Sequence, residues 1–517
     1  MENNLSISGN SLIIKIIETC TNCDVCRMHM EDDCLFFPEL YRLYDESEES
    51  GISIKKSDLR NLVDLCTMCG LCPCPEIRSN IIISKTAYVN QENSLNSIHQ
   101  IRSNILSNVE SIGKLCGIAP SLANKLNRLK PTAALVKRIA GIHQDLQLPR
   151  VPKEDFFKWA YAKGFSGENK LNIYNVFNSK QSLDKDTKSS SKQLFNHSED
   201  KANKKLKVAY FSGCSASYFF PEVAKAVVNI LVHNGIEVVV PQQKCCGMPL
   251  MVEGNQKAAL ENLRFNMKTI INAIDRGYDI VCSCPTCGFF FKNIIKENAF
   301  YSAEYQSIAG VDSRYMKIPL SSRGNKTSLL GTIEKDTNEN FTLVHKSTYQ
   351  HILKDDGYFA QLNPLDRIKI SERVMDFGQY LFALHSQGKL KTDFQPLKIT
   401  ASYYAPCHQR EQYIGQPYLK LLEYVPSLTI KLIGGSMDCC GIGGHLGFKK
   451  TFHEKSLKSG EPLFTKIKSS DTQSIITDCL SCRFQFENFI LKQRDSTIQK
   501  VFHPVEILAM NCTSSAY

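Results

Sequence analysis

From residue 206 onward, short apolar runs alternate with longer stretches whose apolar residues recur at helical spacing. Val208-Ala209-Tyr210-Phe211 is the first such run, and it leads through Ser212-Gly213 into Cys214. Val223, Ala224, Val227, Val228 and Leu231 then share one helical face, with Gly235 placed as the stop. A second apolar run, residues 236–240, ends at Pro241 and leads to Cys245-Cys246-Gly247. Leu260, Leu263, Met267, Ile270 and Ile274 predict another helix, closed by Gly277. A third run, residues 279–282, delivers Cys284-Pro285-Thr286-Cys287. Alternation of this kind predicts an α/β unit with a parallel sheet. Ligands of such sheets lie beyond the carboxyl ends of the strands, which is where these cysteines fall.

The pattern then repeats. Residues 399–404 predict a strand before Cys407-His408, and Leu419, Leu422 and Tyr424 a helical stretch. Residues 428–433 predict a strand before Cys439-Cys440-Gly441, and residues 475–477 one before Cys479 and Cys482. The sequels match as well: Phe289 and Phe291 follow one C-x-x-C pair, Phe484 and Phe486 the other. Repetition this close predicts two copies of one fold. The units are expected at 206–299 and 396–512. Residues 300–395 between them read as an insertion with a helix near 368–384 and a surface loop at 321–327.

The front of the chain has another character. Residues 1–90 hold eight cysteines and little that predicts a large core, so metal clusters are expected to hold this domain together. Residues 91–165 predict helices from Ile98, Ile101, Ile105 and Val109, and again from Leu135, Ile139 and Ile142. Residues 166–205, rich in Ser, Lys, Asp and Asn, read as a flexible linker.

At 517 residues the chain is too long for one core and fits about three domains. It is 43% hydrophobic and 22% charged, as ordinary globular proteins are. No apolar run approaches membrane-spanning length, and the start lacks the form of a secretory signal. The expected location is cytoplasmic, with docking on the inner face of a membrane allowed. The net charge of +10 reads mainly as a solvated surface, and no nucleic-acid partner is expected. Twenty-one cysteines in a reducing compartment point to metal or redox use rather than disulfides.

Cys20, Cys23 and Cys26 set three thiolates around one inorganic corner, and Cys66, Cys69 and Cys72 do the same. A [4Fe–4S] cube needs a fourth ligand; in two-cluster ferredoxins it comes from the other motif and precedes proline. Cys74-Pro75 carries that mark. One cluster is therefore assigned to Cys20, Cys23, Cys26 and Cys74, the other to Cys66, Cys69, Cys72 and Cys34. Both motifs depart from the usual spacing, since Met30 and Glu76 stand where the fourth cysteines would be. The spacing alone leaves the pairing of Cys34 and Cys74 open. Two four-cysteine zinc sites are the competing reading. Cys116 reads as a buried small hydrophobe, Cys282 as strand packing, and Cys512 as free.

The doubled pattern C…CCG…C-x-x-C resembles the cysteine-rich domain of the heterodisulfide reductases. With the front motifs the chain is similar to the iron–sulfur subunits of heterodisulfide reductase, of anaerobic glycerol-3-phosphate dehydrogenase and of glycolate oxidase. Cys407-His408 and His503-Pro504-Val505-Glu506 also resemble family signatures. The resemblance implies an α/β protein: a helical two-cluster ferredoxin-type domain followed by two cysteine-rich CCG domains. It implies two [4Fe–4S] clusters in front and one or two further, noncubane clusters behind. Their ligands would be Cys214, Cys245, Cys246, Cys284 and Cys287, and Cys407, Cys439, Cys440, Cys479 and Cys482. Adjacent cysteines suit two irons of an opened cluster, and the glycine after them allows close backbone approach. Gly441, Gly443 and Gly444 are candidates to aim N–H groups at sulfur; a phosphate loop over 441–447 is the rival, though it lacks the lysine.

The implied function is an iron–sulfur oxidoreductase subunit, with disulfide cleavage at Cys245, Cys246, Cys439 and Cys440 as one chemistry. Pure relay between a flavoprotein dehydrogenase and a membrane quinone-reactive subunit is the alternative, and a zinc scaffold a third reading. His408 is a candidate proton donor or a hydrogen-bonded structural residue. No G-x-G-x-x-G follows a strand, so a flavin or nicotinamide site is expected on a partner.

Overall fold

A computed structural model describes residues 9–31, 34–72, 74–92, 98–166, 206–309, 314–319, 341–493 and 497–510. Most of the expected linker, the loop at 321–327 and Cys512 lie outside these residues.

Two four-stranded parallel sheets form the body. The strands are β1 (Lys207–Phe211), β2 (Glu237–Val239) and β3 (Asp279–Cys282); a hairpin of β4 (Tyr315–Pro319) and β5 (Phe341–His345); then β6 (Val374–Asp376), β7 (Ile399–Tyr404), β8 (Leu428–Leu432), β9 (Ser474–Thr477) and β10 (Lys500–Phe502). The sheet orders are β2-β1-β3-β6 and β8-β7-β9-β10, so the two units share one topology. Each has a fourth strand that periodicity did not predict. In the first unit β6 lies well beyond residue 299, and it divides the helix expected near 368–384 into Pro364–Arg373 and Phe377–Ser386. Both fourth strands are only three residues long, too short for period-2 alternation to register. Asp376 ends β6 and restarts the helix by accepting the Gly378 N–H at 2.8 Å.

The front domain is helical, with Gly9–Cys23, Phe36–Ser50, Lys56–Val63 and Pro75–Glu92 as its main helices. It has a larger apolar core than expected. Ile13, Phe36, Leu40, Leu62, Val63 and Ile82 are buried in a core continuous with Leu263, Phe290 and Phe291 of the first unit. The domain holds by packing on its neighbour, which its own composition could not show.

The next segment folds as helices Ile98–Ser107, Val109–Cys116, Pro120–Arg128, Lys130–Ala140 and Phe156–Ala162. The expected Ile98–Val109 helix breaks at Asn108, whose side chain caps the following helix through the Ser111 N–H. Its predicted apolar faces are mostly not buried: Ile101, Ile105, Leu135 and Ile139 are exposed, whereas Ile142 is buried. The two repeats are joined by a buried carboxylate. Glu253 of the first pairs with His445 and Lys449 of the second, each at 2.6 Å.

Candidate metal-cluster sites

The front cysteines gather into two groups. The Cys20 thiol is pushed up to about 12 by burial and by Cys26, Cys74 and Cys23. The Cys72 thiol is pushed well up by burial and by Cys69, Cys66 and Cys34. The side chains therefore associate as 20/23/26/74 and as 34/66/69/72. Crowded thiols that raise one another's pKa make a poor apo site and a good cationic one, because a metal centre turns repulsion into ligation. The loops that present them need unusual backbone: Met68 sits at φ 56° and Gly70 at φ 92°. A Cβ on Gly70 would lie 2.8 Å from Phe289 and 2.9 Å from Glu411. This front loop is thus wedged between the two repeats.

Each five-cysteine set converges at the carboxyl end of its sheet. In the first, the Cys214 and Cys245 sulfurs are 3.6 Å apart. Gly213 (φ 73°) leaves room there, since a Cβ would lie 3.0 Å from the Cys287 sulfur. Hydrogen bonds from Cys245 and Cys287 bring the Cys246 thiol down to about 6, and Cys287 brings Cys284 down to about 7. In the second, the Cys440 and Cys482 sulfurs are 3.0 Å apart. The Gly441 N–H donates to the Cys439 sulfur at 3.2 Å, and the Cys482 N–H to Cys479 at 3.4 Å. Burial pushes the Cys407 thiol well up, with Cys69 of the front domain the next contributor. Buried sulfurs with this many neighbours and N–H donors are a donor set that fits iron–sulfur ligation.

Gly441 serves as expected, whereas Gly443 packs against the front loop. A Cβ on Gly443 would meet Thr67 of the front loop at 3.0 Å. The N–H groups of Leu446 and Gly447 bond internally, to Gly443 and Ile442, so they cradle no phosphate. His408 is a junction. Its Nε2–H donates to the Met68 carbonyl at 2.8 Å, and its Nδ1 accepts from the Thr286 hydroxyl at 2.9 Å. It stacks on Phe289 at 4.9 Å and 15°. Desolvation pushes its pKa down to about 4. With both ring nitrogens engaged, His408 ties the front loop to both repeats.

Several residues were not singled out from the sequence. Glu110 accepts the Cys245 N–H at 2.8 Å and pairs with Lys114 at 2.6 Å. Arg410 donates to the carbonyls of Ala405, Gly435 and Asp438 around the second set. Tyr210 bonds Ser283 at 2.7 Å, and its counterpart Tyr403 bonds Asp478 at 2.9 Å. A repeat alignment would have paired the tyrosines; nothing local marks Glu110, which arrives from a separate segment. His503 is fully buried and reaches from the end of the second unit to the Ser283 carbonyl at 3.3 Å. Cys282 is buried in β3 as expected, whereas Cys116 is half-buried and not a core residue.

These features define a class. Residues 208–292 and 401–487 each match the CCG cysteine-rich domain family, so the chain carries two CCG domains on a helical, cysteine-rich front domain. Among curated proteins it is similar to one subunit of the anaerobic glycerol-3-phosphate dehydrogenase of Escherichia coli (strain K12), 23% identical over 411 residues, spanning 79% of this chain and 76% of that protein. It is also 23% identical over 335 residues to an uncharacterized iron–sulfur protein of Methanococcus maripaludis, spanning 64% of this chain and 51% of that protein. One subunit of the fumarate reductase (CoM/CoB) of Methanothermobacter marburgensis is 23% identical over 307 residues, spanning 59% and 46%. The relatives thus include an iron–sulfur protein and subunits of a dehydrogenase and of a reductase.

Proposed function

We propose that the chain is the electron-transfer subunit of an oxidoreductase complex, with [4Fe–4S] clusters held by the two front groups and by each CCG set. The observation that carries this reading is the seating of the Cys66–Cys72 loop between the repeats, where Gly70 touches Phe289 and Glu411 and Cys69 acts on Cys407. Bound clusters would supply one-electron carriers. The chain's own residues fix their spacing: His408 ties Met68 to Thr286, and Arg78 ties the front domain to the first repeat through Glu297 at 2.5 Å. Apolar packing by Phe289, Phe290 and Phe291 keeps water from the junction. A flavoprotein dehydrogenase subunit would deliver or receive the electrons. Iron and sulfide counts with low-temperature EPR of the anaerobic protein test this. About 16 iron atoms per chain, four per cluster, are expected. Zinc without acid-labile sulfide would overturn the reading in favour of a scaffold.

The partner side is proposed to be an anionic membrane surface, reached through the helices at 109–140. Leu115 is 70% exposed, Ile118 80%, Leu122 56% and Ile139 62%. Lys114, Lys125, Arg128, Lys130, Lys137 and Arg138 lie among them, and residues 111–144 include no acidic side chain. Among the described residues no helix is long and apolar enough to cross a membrane. Exposed leucines flanked by cations suit a helix lying in an anionic interface, each cation adding about 1 kcal/mol near the surface. Co-sedimentation with phosphatidylglycerol vesicles should fall at least tenfold in a Leu115→Glu/Ile118→Glu variant. Unchanged binding would remove this surface from the proposal.

A further inference from the structure

One side chain stands where three cysteine groups meet. His408 directly follows Cys407, Met68 directly precedes Cys69, and Thr286 directly precedes Cys287. The imidazole bonds both of these neighbours, through Nε2–H to the Met68 carbonyl at 2.8 Å and through Nδ1 to the Thr286 hydroxyl at 2.9 Å. It therefore lies one residue from a candidate ligand in the buried front group, in the first CCG set and in the second. The ring stacks on Phe289 with centroids 4.9 Å apart at 15°. Stacking occupies a ring face and leaves both nitrogens to bond in the ring plane.

The surroundings hold this junction in register. Gln412 Nε2 donates to the Pro285 carbonyl at 3.2 Å and to the His408 carbonyl at 3.1 Å, so a second side chain spans the two CCG sets. A Cβ on Gly288 would lie 2.8 Å from Gln412 Oε1, so that strut needs a glycine opposite it. Aligned on their first cysteines, the repeats place Ser215 where His408 stands. A serine has no pair of ring nitrogens to bridge two partners, so the junction is built once, in the second repeat. Bonds matter here because electron tunnelling decays more gently along covalent and hydrogen-bonded paths than across van der Waals gaps. The path from Cys69 to Cys407 runs through the Met68 carbonyl and its hydrogen bond to His408. The path onward to Cys287 adds the Thr286 hydrogen bond.

We propose, on the reading that these groups hold iron–sulfur clusters, that His408 is a positioning residue whose two hydrogen bonds couple the buried front group electronically to both CCG sets. The Met68 bond serves the second set and the Thr286 bond extends the path to the first. The electron lost at one site is the electron gained at the next, and the imidazole itself is neither oxidised nor reduced.

The test uses the full chain, purified anaerobically, as wild type, His408→Phe and His408→Gln. Phenylalanine keeps the stack on Phe289 and removes both bonds. Glutamine sets an amide near the position of Nε2, so it keeps the bond to Met68 and loses the one to Thr286. Iron and sulfide contents are expected to be equal in all three. After a pulse of methyl viologen radical, freeze-quench EPR follows electron exchange between the front signal and each CCG signal. In H408F both exchanges should slow about tenfold, the low end of what losing such an outer partner of a metal site costs. In H408Q exchange with the second set should recover while exchange with the first stays slow. The dipolar splitting between signals, which reports distance, should not change. Wild-type rates in H408F overturn the proposal. So does slowing matched by an altered dipolar splitting, because His408 would then act only as a spacer. Wild type without acid-labile sulfide would instead overturn the cluster reading, and this coupling with it.

Discussion

The two CCG domains have one topology and matching cysteines, yet the groups facing those cysteines carry opposite charge. Beside the first set stands Glu110, a carboxylate bound to the Cys245 N–H and acting on Cys214. Beside the second stands Arg410, whose guanidinium is drawn by Tyr404, Cys407, Cys439 and Cys482 against the cost of its own burial. The position three residues past the first cysteine is Ser217 in one repeat and Arg410 in the other. The position before the C-x-x-C pair is Ser283 in one and Asp478 in the other. A duplicated fold fixes where sulfurs converge; the charges around them are free to diverge. Since net charge and N–H donors set cluster potentials, clusters bound by the two equal ligand sets would take up electrons at different potentials under the proposed reading.

The comparison can be broken most severely at the glycines after the paired cysteines. A Cβ on Gly441 would lie 1.9 Å from the Ser456 carbonyl, whereas one on Gly247 would lie 3.2 Å from that of Ala259. Gly441→Ala should leave the second domain unfolded, seen as loss of protease resistance. Gly247→Ala, at φ 107°, should cost about 1–3 kcal/mol from backbone strain alone. Equal tolerance at the two sites would contradict the tighter packing of the second loop.

Ligand replacement separates the sets next. Cys246→Ser and Cys440→Ser should each remove about four irons per chain, from different EPR signals. A single signal lost in both variants would mean one cluster shared between the sets.

The charge asymmetry is tested without touching a ligand. Glu110→Gln should raise the potential of the first cluster, because it removes negative charge. Arg410→Gln should lower that of the second. Shifts of about 60 mV, tenfold in a one-electron equilibrium, are expected in potentiometric EPR titration. Shifts of the same sign would end the argument from opposite charge.

A last effect concerns the join between the repeats. Burial pushes the His503 pKa from 6.5 to about 3. The folded chain therefore binds fewer protons than the unfolded one between these values. Stability from this group is complete above about pH 6.5 and is lost as pH falls toward about 3. In wild type the urea midpoint should drop over this window; His503→Asn should flatten that part of the profile. An unchanged profile would show that His503 does not tie the repeats.

Much of this was legible in the residues. The strand–helix alternation, the duplication and the ten repeated cysteines rest on local periodicity and spacing, which need no knowledge of neighbours. The short strands β6 and β10 escaped because three residues carry too little pattern, and β6 joins its sheet across an insertion. The exposed faces at 98–140 misled in another way: amphipathic spacing marks a face to be covered but does not say by what.

The sequence by itself determined which atoms are available for ligation and that they come in two equal sets, because residue type and spacing are local properties. Tertiary structure alone decided that the front loop sits between the repeats, and that Glu110 faces one set while Arg410 faces the other. Burial and Coulomb interaction depend on distance in space, and only the folded chain sets those distances.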